Sequence, residues 1–144
     1  MLREIDTICQ NQGVYPHAFL SAHAHNYQRY TRTVRFGGKD FDVPFIVCGD
    51  GGHNVNRMVQ GRGGEPAQEP HNGTRVDHLE SKPAVKTGGL LLEKYDDSHY
   101  GHLRITVDKD QLRIGFHQVG NGSLAQSRFD MVTVDLASHT MVAN

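Results

Sequence analysis

Apolar residues change their spacing along this chain, and the changes divide it into segments. Leu2, Ile5, Ile8 and Cys9 recur at helical intervals and Gly13 follows as a stop, so residues 2 to 11 read as a short amphipathic helix without an N-cap. From residue 30 the period falls to two. Thr31-Arg32-Thr33-Val34-Arg35-Phe36, a Gly37-Gly38 turn, and Phe41, Val43, Phe45 and Val47 on alternate positions predict a β-hairpin. Residues 49–86, rich in Gly, Pro, Asn and charge, predict a long loop. Strand character returns over residues 89–95. Leu103, Ile105 and Val107, then Leu112, Ile114 and Phe116 beyond an Asp108-Lys109-Asp110 turn, continue it as an antiparallel meander, and Met131 to Leu136 form a last strand. The expected class is α/β in an α+β arrangement, one N-terminal helix followed by mostly antiparallel sheet. A helix that begins at the first residue and leads through Pro16 into apolar Ala18-Phe19-Leu20 looks like the tail of an α-to-β unit whose earlier strands lie elsewhere.

Composition narrows the function classes. The chain has 144 residues, with 15 Lys plus Arg against 16 Asp plus Glu and a formal charge of −1. A nucleic-acid binder normally gathers basic excess on one face, and here the arginines are scattered, so no nucleic-acid partner is expected. The longest apolar runs, such as Pro44 to Cys48, fall far short of the roughly 20 residues that span a bilayer, so no membrane span is expected. The first residues are too acidic, and lack the apolar core, for a signal peptide. Cys9 and Cys48 fit neither a disulfide framework nor a metal clip and are expected as buried free thiols.

Histidine is abundant, with 10 residues, which directs attention to metal ligation. His23 and His25 follow the apolar run Ala18-Phe19-Leu20. In extended backbone, positions i and i+2 project to one side, so the pair would present two imidazoles to one point at the carboxyl end of a strand. Neutral imidazole suits borderline transition metals. Two hydrogen-bonded histidines in a turn is the other reading of the same pattern. Gly49-Asp50-Gly51-Gly52 lacks the Lys and helix of a phosphate loop and reads as a strand-terminating turn.

Ala22-His23-Ala24-His25-Asn26-Tyr27-Gln28-Arg29, followed after a hairpin by Pro44 to Asn54, resembles the last metal motif of the calcineurin-like metallophosphoesterases, in the branch similar to purple acid phosphatases. That motif reads GHxHxYER and is followed by a strand ending in a glycine-rich turn. Tyr95 to Ile105 resembles the closing YGxLR segment of such proteins, so the likeness covers nearly the whole chain. It implies the C-terminal half of an αββα sandwich over residues 1–144. It also implies a dinuclear centre of divalent or trivalent ions (Fe, Zn or Mn) in the intact protein, with His23 on one metal and His25 on the other. Tyr27 and Arg29 would shape the motif, and His53 and Asn54 would shape it or lie at the substrate cleft; His53, after Gly51-Gly52, is the best local candidate for a further ligand, a turn histidine bonding backbone being the other reading. The implied substrate is a phosphate ester, and the resembling branch is often extracytoplasmic.

Ala22 stands where the motif has glycine and Gln28 where it has glutamate. The family's aspartate and asparagine ligands and its further histidine have no counterpart here, so the likeness implies part of a longer hydrolase. Its partner would be the missing N-terminal half of the same domain, and the isolated chain would be inactive. A non-catalytic β-rich interaction domain with a vestigial histidine pair is the competing class. Mononuclear zinc binding by His23, His25 and a distant histidine is a third.

Overall fold

A computed structural model describes residues 2–52, 54–58, 74–76, 90–120 and 126–143. Helix α1 (Leu2–Gln12) turns Ile5 and Cys9 inward and leaves Ile8 in solvent. It ends in paired C-terminal bonds, Gly13 N to the Gln10 carbonyl at 3.3 Å and Val14 N to the Cys9 carbonyl at 3.2 Å, which use carbonyls that the helix leaves over. Strand β1 (Phe19–Ser21) follows, then β2 (Tyr27–Phe36) and β3 (Lys39–Cys48), the predicted hairpin. Phe36 pairs with Lys39 across Gly37 and Gly38, whose φ values of 56° and 81° supply the two left-handed positions that a tight turn between right-twisted strands needs.

The remaining strands are β4 (Thr74–Val76), β5 (Leu90–Asp96), β6 (Tyr100–Val107), β7 (Gln111–Val119), β8 (Gln126–Asp135) and β9 (Thr140–Val142). They do not form one sheet. A five-stranded sheet has the order β1-β3-β2-β5-β4, and a four-stranded sheet runs β6-β7-β8-β9. Among the described strands β1 and β3 alone pair in parallel. The expected α+β character is present, as one short helix and two mostly antiparallel sheets; the strand over residues 89–95, expected to lead the meander, pairs with β2 and β4 instead, because alternation along a strand does not name its neighbour. Part of the 49–86 stretch read as loop pairs with β5 as β4, and much of the rest lies outside the described residues. Strand β8 begins at Gln126 rather than Met131, because a bulge opposite Phe116 and His117 and the inward Asp130 break its alternation.

Alternation along β2 and β3 gives the first sheet two apolar faces. Val34 and Val43 pack with Cys9 and Tyr15 on the helix side, while Tyr27 and Ile46 pack with Ile114, Phe116 and Val132 of the second sheet. The layers are helix, sheet, sheet. Each interface holds one buried arginine in a paired carboxylate. Arg32, toward the helix, reaches Asp6 at 2.7 and 2.8 Å, and the Tyr15 hydroxyl donates to the same carboxylate at 2.9 Å.

Between the sheets Arg29 grips Asp130 with Nε at 2.7 Å and Nη2 at 3.1 Å, and the Tyr27 hydroxyl donates to Asp130 at 2.8 Å. Burial alone would raise the Asp130 carboxyl, but the Arg29 and Tyr27 hydrogen bonds and nearby positive charge outweigh it and hold it below the usual range. The Tyr27 ring stacks on Phe116 at 4.1 Å.

The β8–β9 turn is tied down by a stack of three rings. His139 lies 3.8 Å from His17 and 4.1 Å from Phe41, donates through Nε2 to the Pro16 carbonyl at 3.0 Å, and has a left-handed φ of 61°. Burial, followed by the neighbouring His17, outweighs the Pro16 bond and holds His139 below its ordinary value.

Asp130→Ala leaves Arg29 buried without its carboxylate and should cost about 3–5 kcal/mol in urea denaturation. Tyr27→Phe, which removes one of several donors, should cost about 1 kcal/mol. For His139, the unfolded chain takes up a proton near pH 6.5 and the folded chain only at lower pH. That contribution is therefore fully present above pH 6.5 and is lost as pH falls from there. The melting temperature should drop between pH 7 and 5, and His139→Asn, which tolerates the left-handed backbone, should flatten the drop.

Candidate metal centre

The two histidines sit in the turn that joins β1 to β2. Phe19, Leu20 and Ser21 pair with Phe45, Ile46 and Val47, so β1 ends level with the end of β3 and delivers the chain beside the glycine-rich turn. The segment read as extended is bent from residue 23 to residue 26. Asn26 N bonds the Ala24 carbonyl at 2.9 Å, a three-residue turn centred on His25, and His23 has φ 80°. The same-side argument from extended spacing therefore does not apply to this pair. A left-handed histidine costs of order 1 kcal/mol or more, and such strain collects at functional sites. The position where the motif has glycine, Ala22, is not left-handed; that conformation falls on His23.

Backbone contacts hold the bend. Asn26, buried, donates through Nδ2 to the Asn56 carbonyl at 3.0 Å, and Asn56 N donates to the His25 carbonyl at 2.8 Å. Gly49 N donates to the Asn26 carbonyl at 3.3 Å. A Cβ on Gly49 would overlap the Ala24 carbonyl, so glycine at this place is what lets β3 come against the histidine turn. His23 is exposed and His25 half-buried. The Asn56 side-chain amide lies 3.4 Å from His25 Nδ1. With its oxygen turned inward it would accept Nδ1–H and leave Nε2 as the ligating nitrogen.

Tyr27 and Arg29 are turned away from the histidines, into the space between the sheets, where they bind Asp130. They are not among the residues that line the groove at Asn54. Gln28 projects to the opposite face, donating to Asn26 Oδ1 at 2.7 Å and accepting from the Tyr30 hydroxyl. Asn54 is exposed and, with Val55, Ser98, His99, Tyr100 and Val119, lines an open groove of about 350 Å³. His53 lies outside the described residues.

His99 in the groove pairs with a buried carboxylate, Asp96, a pairing that the sequence pattern did not single out. Asp96 is buried and receives Ser98 N at 2.9 Å, His99 N at 3.1 Å, His99 Nδ1 at 3.0 Å and the Gln118 amide. Burial would raise Asp96, but the bonds from Gln118, Ser98 and His99 hold it below the usual range. Ser98 Oγ also meets Nδ1 of His99, at 3.0 Å. Both Ser98 and Asp96 thus address the same ring nitrogen, which is not the arrangement of a nucleophilic serine with its base. The available signal was local: an aspartate followed two and three residues later by Ser and His favours a side-chain-capped turn.

Asp50 closes the strand-terminating turn. It is fully buried, accepts from the Cys48 thiol at 3.3 Å, and its Oδ2 has no partner among the described residues. Burial, aided by the charge of Asp96, outweighs the bonds it accepts and raises its carboxyl; burial and Asp50 push the Cys48 thiol up to about 12. Cys9 is buried and its thiol is also raised by burial, so neither cysteine is an activated nucleophile.

For a metal the donor set is two imidazoles. Among the described residues no group of three or more His, Cys, Asp or Glu side chains converges to hold an ion. Two imidazoles alone do not make a complete centre, which needs at least three protein ligands around zinc. Gly49→Ala should displace the histidine turn and lower stability by about 1–3 kcal/mol, seen in a thermal melt together with shifted His23 and His25 ring resonances. No protein-family model, curated protein or solved structure matches the chain.

Proposed function

We propose that this chain is the histidine-bearing part of a metal-dependent phosphoesterase similar to the acid phosphatases, the C-terminal half of an αββα sandwich whose remaining ligands come from a segment outside it. The observation that carries this reading is the strained His23 held in an open bend at the carboxyl end of the parallel strand β1. Loops at the carboxyl ends of parallel strands are where α/β folds collect their sites. The helix, sheet, sheet layering supports it too, as does β1, an edge strand with β3 as its neighbour and Leu20 half-exposed beside the turn.

A dinuclear centre, when bound, supplies water of lowered pKa and a clamp for phosphoryl oxygens. This chain's own part is to present imidazoles. Gly49, Asn26 and Asn56 fix the bend through backbone bonds, and Tyr27 and Arg29 anchor the first residues of β2 on Asp130. The non-catalytic interaction domain is favoured by one fact, the missing third donor among the described residues.

Zn²⁺ titration followed by NMR separates the readings. Under the phosphoesterase reading, the His23 and His25 ring signals respond before those of the other histidines, and His23→Ala removes the response. An aryl phosphate assay with Mn²⁺, Zn²⁺ or Fe²⁺ should show no turnover by the isolated chain. Zinc that ignores both residues would favour the interaction domain, and turnover lost in His23→Ala would mean that the centre is complete within this chain.

A further inference from the structure

The second sheet has one face on Tyr27 and Ile46 and another directed to solvent. On the solvent face the strand register places His102 of β6 opposite His117 of β7, and His117 opposite Arg128 of β8. The two imidazoles stack, 5.4 Å between centroids and 16° between planes. Arg104, two residues beyond His102 on β6, shares this face, because alternate residues of a strand point the same way. Both arginines are exposed, and neither has a carboxylate partner among the described residues. Burial, then the charges of His102, Arg104 and Arg128, in that order, holds His117 below its ordinary value. Those three neighbours are all cationic or cation-forming, so like charges meet here without an acid between them.

The acids of this face are elsewhere and engaged. Asp108 pairs with Arg113 at 2.9 Å, at the β6–β7 turn. Asp135 caps its own turn through Ala137 N at 3.1 Å and Ser138 N at 2.7 Å. The sequence joining β7 to β8, Gly120-Asn121-Gly122-Ser123-Leu124-Ala125, carries no charge at all. Arg113, at the β6–β7 turn, is thus paired with an acid, whereas Arg104 and Arg128, further from that turn, are not. Exposed guanidinium groups without an acid beside them leave this face positive and open to an anion.

We propose that His102, Arg104, His117 and Arg128 form a binding site for an anion with two linked phosphate groups. Paired strands lie about 4.8 Å apart, so His102, His117 and Arg128 span roughly 10 Å across three strands, and Arg104 stands roughly 7 Å along β6 from His102. Arginines set apart across that span suit an anion that offers an acceptor group to each, which two linked phosphates supply. The guanidinium fork matches phosphate oxygens with two parallel bonds, and each imidazole carries a ring N–H that can donate. The site lies on the sheet face opposite the one that packs toward the histidine turn, and it does not depend on the phosphoesterase reading.

The test uses the full chain, inorganic pyrophosphate, a chelator to remove metal, low salt and pH 6. Calorimetry should give one pyrophosphate per chain, and the His102 and His117 ring resonances should move together in the unaltered protein. Arg104→Gln with Arg128→Gln, both at exposed positions, should weaken binding at least tenfold without changing the melt. His23→Ala with His25→Ala should leave binding intact, which separates this site from the candidate metal centre. No binding, unmoved His102 and His117 rings, binding indifferent to the arginine changes, or binding lost with His23 and His25 would each overturn the proposal.

Discussion

Asp130 is the group on which the arrangement of the two sheets turns. Its carboxylate lies between them, 7% exposed, and takes three side-chain hydrogen bonds from the first two outward-alternating residues of β2, Tyr27 and Arg29. A carboxylate and a guanidinium removed from water are costly to bury, and only a fully bonded pair offsets the loss. That requirement fixes both register and spacing. Strand β2 must enter the sheet with Tyr27 over Phe116, and β8 must bulge to bring Asp130 inward. Apolar packing of Tyr27, Ile46, Ile114, Phe116 and Val132 supplies the attraction between the sheets, and the charged pair selects one alignment among the many that such a surface would permit.

The histidine turn inherits its position from this anchor. Tyr27 follows Asn26 directly, so the residue that stacks on Phe116 also sets where the bend begins. On the other side β1 is held in parallel register with β3, and Gly49 lets the end of β3 touch the backbone of the bend. The bend thus rests between two strands whose ends are fixed by the core, which is how a left-handed His23 persists despite its cost. The motif's aromatic and basic residues do their work at a distance from the imidazoles: they hold the frame on which the turn is mounted.

Charge is divided between two tasks. Arg29 and Arg32, both on β2, face opposite sides of the first sheet and bind carboxylates in the two interior layers. Arg104 and Arg128 stand on the outer surface of the second sheet with no such partners among the described residues. The same side chain serves as a rivet where it is buried beside an acid and as a receptor group where it is left open.

The sequence by itself determined the local elements. Helical spacing of Leu2, Ile5 and Cys9, period two through the hairpin, the Gly37-Gly38 turn and the β6–β7 part of the meander were legible, because each depends on neighbours within a few residues; β5, expected to lead the meander, pairs with β2 and β4 instead. It also marked the histidine pair and the glycine-rich turn. Tertiary structure alone decided that the strands divide into two sheets, since alternation tells which residues share a face and not which strand lies beside them. Three-residue β4 and β9 carry too few positions to show a period. The bend at His23 was not legible either: it is imposed by Gly49 and Asn56, both more than twenty residues away in sequence, through backbone bonds and close contacts that no side-chain pattern records. The pairing of Asp130 with Arg29 and the meeting of His102 with His117 likewise arise only when the sheet register brings distant positions together.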